Sequence, residues 1–307
     1  MSNRAEQARV TRTPVAEEAP GLEVLATGPL ATVQDLGRPG LSHLGVGTSG
    51  AADRRSFRLA NRLVGNSEDA AGIEFTFGGL AFRACRDLTV AITGAPCRIT
   101  VDGRREAVNS VLRVPAGAEL RAGAPTTGLR SYLAVRGGIA VAPVLGSRAT
   151  DVLSGLGPAP LQPGDVLPVG PPPPRFPAVD LAPVPAPADG DLVLRVVPGP
   201  RDDWFTDEAL RALGGEAYEV TSESNRIGMR LRGAPLQRQR CEELPSEGMV
   251  PGALQVPPSG QPTLFLADHP LTGGYPVIAV VLAEDVDRAA QARPGQRIRF
   301  RILEEAA

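Results

Sequence analysis

Two stretches of this chain concentrate residues that could do chemistry. "TVQDLGRPG" (Thr32 to Gly40) places Gln34, Asp35 and Arg38 within five residues and then breaks with Pro-Gly. His43 closes the same loop, and Asp53 follows it into "SGAAD". The second runs through "TSESNRIGMRLRG" and "LPSEGMVPGALQVPPSGQPTLFLADHPLTGGYP". It mixes Asn225, Arg226, Ser246, Glu247, Gln255, Asp268 and Thr272 with many Gly and Pro. Gly and Pro fix turns whose polar side chains cap backbone groups. The same composition also makes a rigid loop platform, offering N–H groups, carboxylates and a guanidinium to a small polar ligand. Both readings stay open on the residues alone.

Several chemistries are excluded or left unsupported. All 32 basic residues are Arg, so the chain can form no Schiff base, carry no lysine-linked biotin and build no Gly-Lys-Ser/Thr phosphate loop. The only two histidines, His43 and His269, are far apart and imply no metal site. "GVGTSG" (Gly45 to Gly50) has G-x-G-x-x-G spacing, but loop rather than strand precedes it, so a dinucleotide site is not expected. No G-x-S-x-G elbow occurs. A net charge of −2 gives no electrostatic case for nucleic acid or an anionic membrane. The longest apolar run, "YPVIAVVLA", is too short to span a bilayer and reads as a buried strand. The N-terminus lacks the apolar core of a signal peptide, so a cytoplasmic protein is expected. Cys85, Cys97 and Cys241 have neither zinc-ligand nor disulfide-framework spacing and read as buried small side chains.

The elements that must position these residues read mainly as strands. Short Val/Ile/Leu/Phe runs bounded by Gly or Pro predict strands over Gly21–Ala26, Gly72–Phe77, Leu88–Thr93, Val111–Val114 and Ser131–Val135. Others are predicted over Leu192–Val197, Glu216–Val220, Leu264–Ala267, Pro276–Leu282 and Arg297–Ile302. Asp102-Gly103 predicts a type I′ hairpin inside Ile99–Val108. Ser49–Gly65 reads as a helix capped by Ser49 and ended by Gly65, with Phe57, Ala60 and Val64 on one stripe. Thr206–Leu213 and Glu284–Ala292 are shorter helix candidates. Residues 1–20 read as a disordered tail and 168–190 as a Pro-rich linker between domains at 21–167 and 191–305. "LQPGDVLPV" and "ARPGQRIRFRIL" each lead a final strand out of a Pro-Gly turn, which suggests a duplication or one common turn used twice.

In order, "TVQDLGRPG", "HLGV", "SGAAD", "RLANRLVGN", "GIEFTFGGL", "AITGA", "SNRIGMRL", "SEGMVPGALQVPPSGQP" and "TGGYP" resemble the family of the 5-oxoprolinase C subunit. The same family is described as biotin-dependent carboxyltransferase or allophanate hydrolase subunit 2. The resemblance covers about residues 22–303. It implies a mainly β fold of two cyclophilin-like β-barrel domains with a few short helices. It implies the B and A subunits of 5-oxoprolinase as partners and an ATP-dependent opening of 5-oxo-L-proline to L-glutamate. The family's other settings are a carboxyltransferase subunit of a biotin-dependent, urea-type carboxylase, and a non-enzymatic regulatory partner.

A lactam is a poor electrophile; phosphorylating its oxygen creates a leaving group, and water can then attack. That chemistry needs a hold on anionic groups and a place for protons. It makes Asp35, His43 and Asp268 the candidate catalytic residues. Gln34, Arg38, Asp53, Asn225, Arg226, Gln255, Thr272 and Tyr275 become the candidate substrate-binding residues, with Arg38 and Arg226 on the anionic groups. Without Lys, any Lys-based ATP cradle must come from a partner protein, and no covalent biotin belongs on this chain. The last loop departs from the family pattern, "ADxQTTGGYPK": here His269 and Pro270 interrupt the polar run, and Val277 stands where Lys is common.

Overall fold

The structure is a computed structural model that describes residues 20–303. All but one residue of the expected disordered tail lies outside them; Pro20 already opens the first strand. The fold is mainly β, with three short helices among the described residues.

In the N-terminal half, the strands are β1 (Pro20–Thr27), β2 (Leu30–Gln34), β3 (Gly72–Thr76), β4 (Leu80–Ala84), β5 (Leu88–Gly94), β6 (Cys97–Val101), β7 (Arg104–Glu106), β8 (Val111–Val114), β9 (Glu119–Pro125), β10 (Arg130–Val135) and β11 (Val166–Pro168). They form two sheets, ordered β11-β1-β4-β9-β6-β7 and β2-β3-β10-β5-β8. Leu22, Phe82 and Leu120 from the first sheet meet Ile73, Phe75, Ile92 and Leu133 from the second in one core. The other face of the second sheet packs on helix α1 (Arg54–Leu63) through Phe57, Ala60, Leu63, Ala91, Tyr132 and Ala134. Because that sheet is buried on both faces, its strands read as continuous apolar runs rather than alternating ones. "GIEFT" is one such run, and period-two alternation turns Glu74 away from Ile73 and Phe75, onto the helix side. Asp102 and Gly103 both have positive φ, 47° and 80°, as the type I′ turn between β6 and β7 requires.

The C-terminal half contains β12 (Leu192–Pro198), helix α2 (Asp207–Gly215), β13 (Ala217–Val220), β14 (Gly228–Arg232), β15 (Glu247–Gly248), β16 (Ala253–Gln255), β17 (Thr263–Phe265), β18 (Thr272–Gly273), β19 (Val277–Val281), helix α3 (Ala283–Ala289) and β20 (Arg297–Ile302). Seven of these strands close a barrel in the order β12-β19-β16-β17-β14-β13-β20. Closure depends on β12 pairing parallel to β20, from Leu192↔Ile298 to Val196↔Ile302. The repeated Pro-Gly turn is present in both halves, with Gly164 at φ 95° and Gly295 at φ 85°. The strands that follow pair differently: β11 runs antiparallel to β1, whereas β20 runs parallel to β12.

Two sequence expectations change. Helix α1 is capped by Asp53, whose carboxylate accepts from Ser56 N at 2.9 Å, and not by Ser49. Four residues separate Ser49 from the helix, and its hydroxyl is used elsewhere. The cysteines are not buried: Cys85 and Cys241 are exposed and Cys97 is half-buried, all three free. Burial pushes the Cys97 thiol up to about 11. Alkylation at pH 8 is therefore expected to modify Cys85 and Cys241 quickly and Cys97 slowly, because the thiolate is the nucleophile. Mass spectrometry of a timed iodoacetamide reaction checks this; three equal rates would contradict it.

The Pro-rich segment lies against the N-terminal half. Ala182 N donates to Asn109 O at 2.8 Å, and the Arg136 guanidinium stacks 4.3 Å from the Phe176 ring centre.

Candidate functional site

Several polar residues of the loop clusters fall into two settings: a buried network that joins the halves, and an open recess at the barrel mouth.

Arg226 is the centre of the first. It is 1% exposed, at the turn that enters β14. Nε and Nη2 grip both oxygens of Asp268 at 2.9 and 3.0 Å, Nη2 also donates to Gly50 O at 2.6 Å, and Nη1 pairs with Glu74. Asp268 further accepts from Ser49 Oγ at 2.6 Å and Val152 N at 3.2 Å. Glu74 also accepts from Ala52 N at 2.9 Å and has Arg130 Nε 3.6 Å away. Burial alone would raise the Glu74 carboxyl, but Arg226 and Arg130 outweigh it and hold it below the usual range. Burial likewise works against the Arg226 charge, and Glu74 and Asp268 overcome it. Arg226 and Asp268 thus have their hydrogen-bonding capacity spent on each other and on the N-terminal half. The sequence made them candidates for substrate and protons; in the structure their contacts link one half to the other.

A second clasp lies beside the first. Gln291 Oε1 accepts from Leu129 N and Arg130 N at 3.0 and 2.9 Å, while its Nε2 donates to Asp53 at 2.7 Å. Asp287 accepts from Arg54 N and Arg55 N at 3.0 and 3.2 Å, adding a carboxylate to the positive end of α1. Burial raises Asp53, and burial together with Asp53 raises Asp287 to about 6. Asp53 therefore works as a helix cap and as a contact between the two halves, on the wall of a cavity of about 270 Å³ shared with the Pro-rich segment. A carboxyl raised above its unfolded value carries an energetic cost when ionised. That cost is absent below about pH 4 and fully present above about pH 6. Asp287→Asn is expected to remove it. Wild type should then gain thermal stability relative to the variant as pH falls from 7 to 4. Parallel melting curves check this; a pH-independent difference would refute it.

The recess has a volume of about 320 Å³. Asn225, Ile227, Gly228 and Arg230 line it from the β14 side, Gln255 and Pro257 from the end of β16, and Thr263 and Phe265 from β17. Pro270 and Tyr275 complete the wall, and Leu153 reaches in from the N-terminal half. Asn225 Oδ1 accepts from Ile227 N and Gly228 N at 2.8 and 3.2 Å, which leaves its NH2 free of partners among the described residues. Gln255 Nε2 donates to Tyr275 O at 3.1 Å, which leaves its carbonyl oxygen similarly free. Gly273 packs on that amide: a Cβ there would lie 2.4 Å from Nε2. The recess thus offers one free amide donor and one free amide acceptor, with Arg230 and Thr263 among otherwise largely apolar walls, a match for a small amide.

The family of the carboxyltransferase domain, subdomains A and B, matches residues 44–302. The chain belongs to this carboxyltransferase-domain family. It is 38% identical over 282 residues to the 5-oxoprolinase C subunit of Escherichia coli (strain K12), covering 91% of this chain and 90% of that protein. It is 32% identical to a Lachancea kluyveri urea amidolyase, covering 91% of this chain but 17% of the amidolyase. Among solved structures, Kluyveromyces lactis urea carboxylase superposes with a TM-score of 0.85 at 31% identity over 94% of this chain and 28% of its own. TTHA0988 superposes with a TM-score of 0.84 at 38% identity over 92% of this chain, which spans 55% of the TTHA0988 chain.

Within this carboxyltransferase domain, the recess gathers three of the candidates, Asn225, Gln255 and Tyr275. Thr272 lies outside its lining, exposed on β18. His43 sits on an exposed turn with Nδ1 3.1 Å from Gly40 O, and lines neither cavity. Asp35 is a loop organiser that accepts from Gly37 N, Ser147 Oγ and Arg148 N at 2.7, 2.6 and 2.6 Å. Gln34 is buried, donating to Thr32 Oγ1 and Thr150 O. Arg38 is buried beneath the same loops. The departures from the family pattern have local roles. His269 stacks on Phe265, its Nδ1 donates to Pro270 O at 2.8 Å, and burial lowers its pKa, so a neutral imidazole props the recess wall. Val277 packs with Met249, Ala253 and Phe265.

Sequence reading missed Glu74, Ser49, Gln291 and Leu153. A signal existed for Glu74: a lone carboxylate inside an apolar strand needs a buried counter-charge. Nothing local marks the other three.

Proposed function

We propose that this chain is the C subunit of an ATP-dependent 5-oxoprolinase complex, which with the B and A subunits opens 5-oxo-L-proline to L-glutamate. The observation that carries this is near full-length similarity, 38% identity over nine-tenths of both chains, to a 5-oxoprolinase C subunit. The recess supports it. A lactam has one C=O and one N–H side by side, and Asn225 and Gln255 offer their complements, a donor and an acceptor. ATP belongs to the same reading, at a site shared with or supplied by a partner subunit, and any Lys-based phosphate cradle comes from that partner, since this chain has no Lys. A cytoplasmic setting belongs to the same reading.

The test is ATP-dependent glutamate release from 5-oxoproline by the chain alone, with the B subunit, and with the B and A subunits together. Release only in the full mixture is the expected result. Carboxyl transfer to urea is a second reading, favoured by the similarity to urea amidolyase. It predicts no glutamate in any mixture and carboxylation of urea when a biotinylated partner is added.

A further inference from the structure

The Asn225 and Gln255 amides do not by themselves distinguish a lactam from urea. Both ligands place a C=O beside an N–H, so both satisfy one donor and one acceptor. They differ on the far side of the carbonyl. A five-membered lactam carries ring methylenes there, and urea carries a second NH2. Against an apolar wall the methylenes gain burial, whereas the NH2 loses water without a replacement. Selectivity therefore rests on the apolar residues that line the recess.

Leu153 is the one lining residue that the N-terminal half contributes among the described residues. It is 48% exposed, yet its backbone is fixed. The buried Asp151 carboxylate accepts from Leu153 N at 2.9 Å, Ser154 N at 3.1 Å and Ser154 Oγ at 2.7 Å. Gly155 N returns to Asp151 O at 3.0 Å, with Gly155 at φ 71°. Val152 N donates to Asp268, the carboxylate that Arg226 grips. An exposed leucine is ordinary on a protein surface. Here the fixed turn keeps it against a cavity of about 320 Å³ whose other residues all belong to the barrel half.

We propose that Leu153 is a specificity-determining residue of the recess: it packs on the ring methylenes of a bound lactam and leaves the second NH2 of urea without a partner. The N-terminal half thereby takes part in substrate choice, although the free amide groups come from the barrel half. The inference rests on the reading of the recess as a lactam site, and it names the side chain that makes it one.

The test is equilibrium binding to the full chain, followed by NMR through the side-chain NH2 signals of Gln255, assigned by their loss in Gln255→Met. The probes are 2-pyrrolidinone and urea. Neither carries a carboxylate, so the Arg230 charge on the recess wall does not enter the comparison. Wild type should bind 2-pyrrolidinone about tenfold more tightly than urea. Leu153→Ala and the near-isosteric Leu153→Asn should each weaken 2-pyrrolidinone about tenfold. Urea binding should stay unchanged in the first variant and stay unchanged or tighten in the second. A purely structural role would weaken both probes alike, and that result overturns the proposal. Equal binding of the two probes by wild type, or lactam binding that ignores both substitutions, overturns it as well. If wild type does not bind 2-pyrrolidinone at all, the recess reading falls and takes this inference with it. Glutamate release is not part of the readout, so failure of the oxoprolinase complex to turn over is a separate result.

Discussion

Arg226→Met is expected to cost about 3–5 kcal/mol of stability, because it leaves buried carboxylates without their main counter-charge. Glu74 and Asp268 are 2% exposed each and cannot turn to water. At roughly 2–4 °C per kcal/mol for a chain of this size, Tm should fall by about 10 °C. The network joins the halves, so the variant should also lose cooperativity between them. Trp204 is the only tryptophan and lies in the barrel core, so its fluorescence reports the C-terminal half while circular dichroism reports both. Wild type should give one coincident urea transition, and Arg226→Met two. The pH response carries a sign. In wild type Glu74 is depressed, so its contribution is present above about pH 4.5 and is lost as pH falls through its folded value. Without Arg226, burial dominates and raises that carboxyl, so the variant's deficit should shrink between pH 7 and 5. Replacing Glu74, Arg226 and Asp268 together by neutral residues should recover much of the loss. An unchanged Tm with abolished activity would instead make Arg226 a substrate contact.

Gln255→Met is expected to lower kcat/KM in the complete oxoprolinase mixture by about a hundredfold while leaving Tm within about 2 °C. The substitution keeps length and volume but removes the acceptor that a lactam N–H would use. A site built to bind a polar group discriminates strongly when one partner is lost, and a hundredfold corresponds to about 2.7 kcal/mol. The amide is 8% exposed and has one internal hydrogen bond of ordinary length, to Tyr275 O, so the stability cost is small. Gly273→Ala is the positioning control: the new methyl must push the Gln255 amide aside, and it should reproduce most of the activity loss without removing the group. A Gln255→Met protein with wild-type turnover would remove the recess from the reaction.

Local sequence determined a good part of this molecule. Apolar runs between Gly and Pro predicted β3, β5, β8, β10, β12 and β20 to within about a residue, because strand formation there depends on neighbours along the chain. The Asp102-Gly103 hairpin was legible for the same reason: its positive φ values are a property of those two residues. Strands such as β4, β9 and β16 were not distinguished, since short strands with mixed faces carry little periodic signal. The helix at Arg54 was legible, but its cap was not: Ser49 and Asp53 are equally good capping residues by type.

The candidate site divides along the same line. The motifs pointed to the two loops, and Asn225, Gln255 and Tyr275 do line one recess. Residue type alone could not separate Arg226 from Arg38. Both are arginines in polar Gly-containing loops, and both are buried. What distinguishes them is a strand 152 residues away that carries Glu74 to Arg226 and no comparable carboxylate that reaches Arg38. Charge balance in a protein interior is set by which side chains the folded topology brings within a few ångströms, and that is a long-range property. The sequence by itself determined the strand-rich class, the absence of lysine chemistry and the loops that hold the polar residues. Only the tertiary structure decided which of those residues clamp the two halves, which line the recess and which are left with an unsatisfied charge.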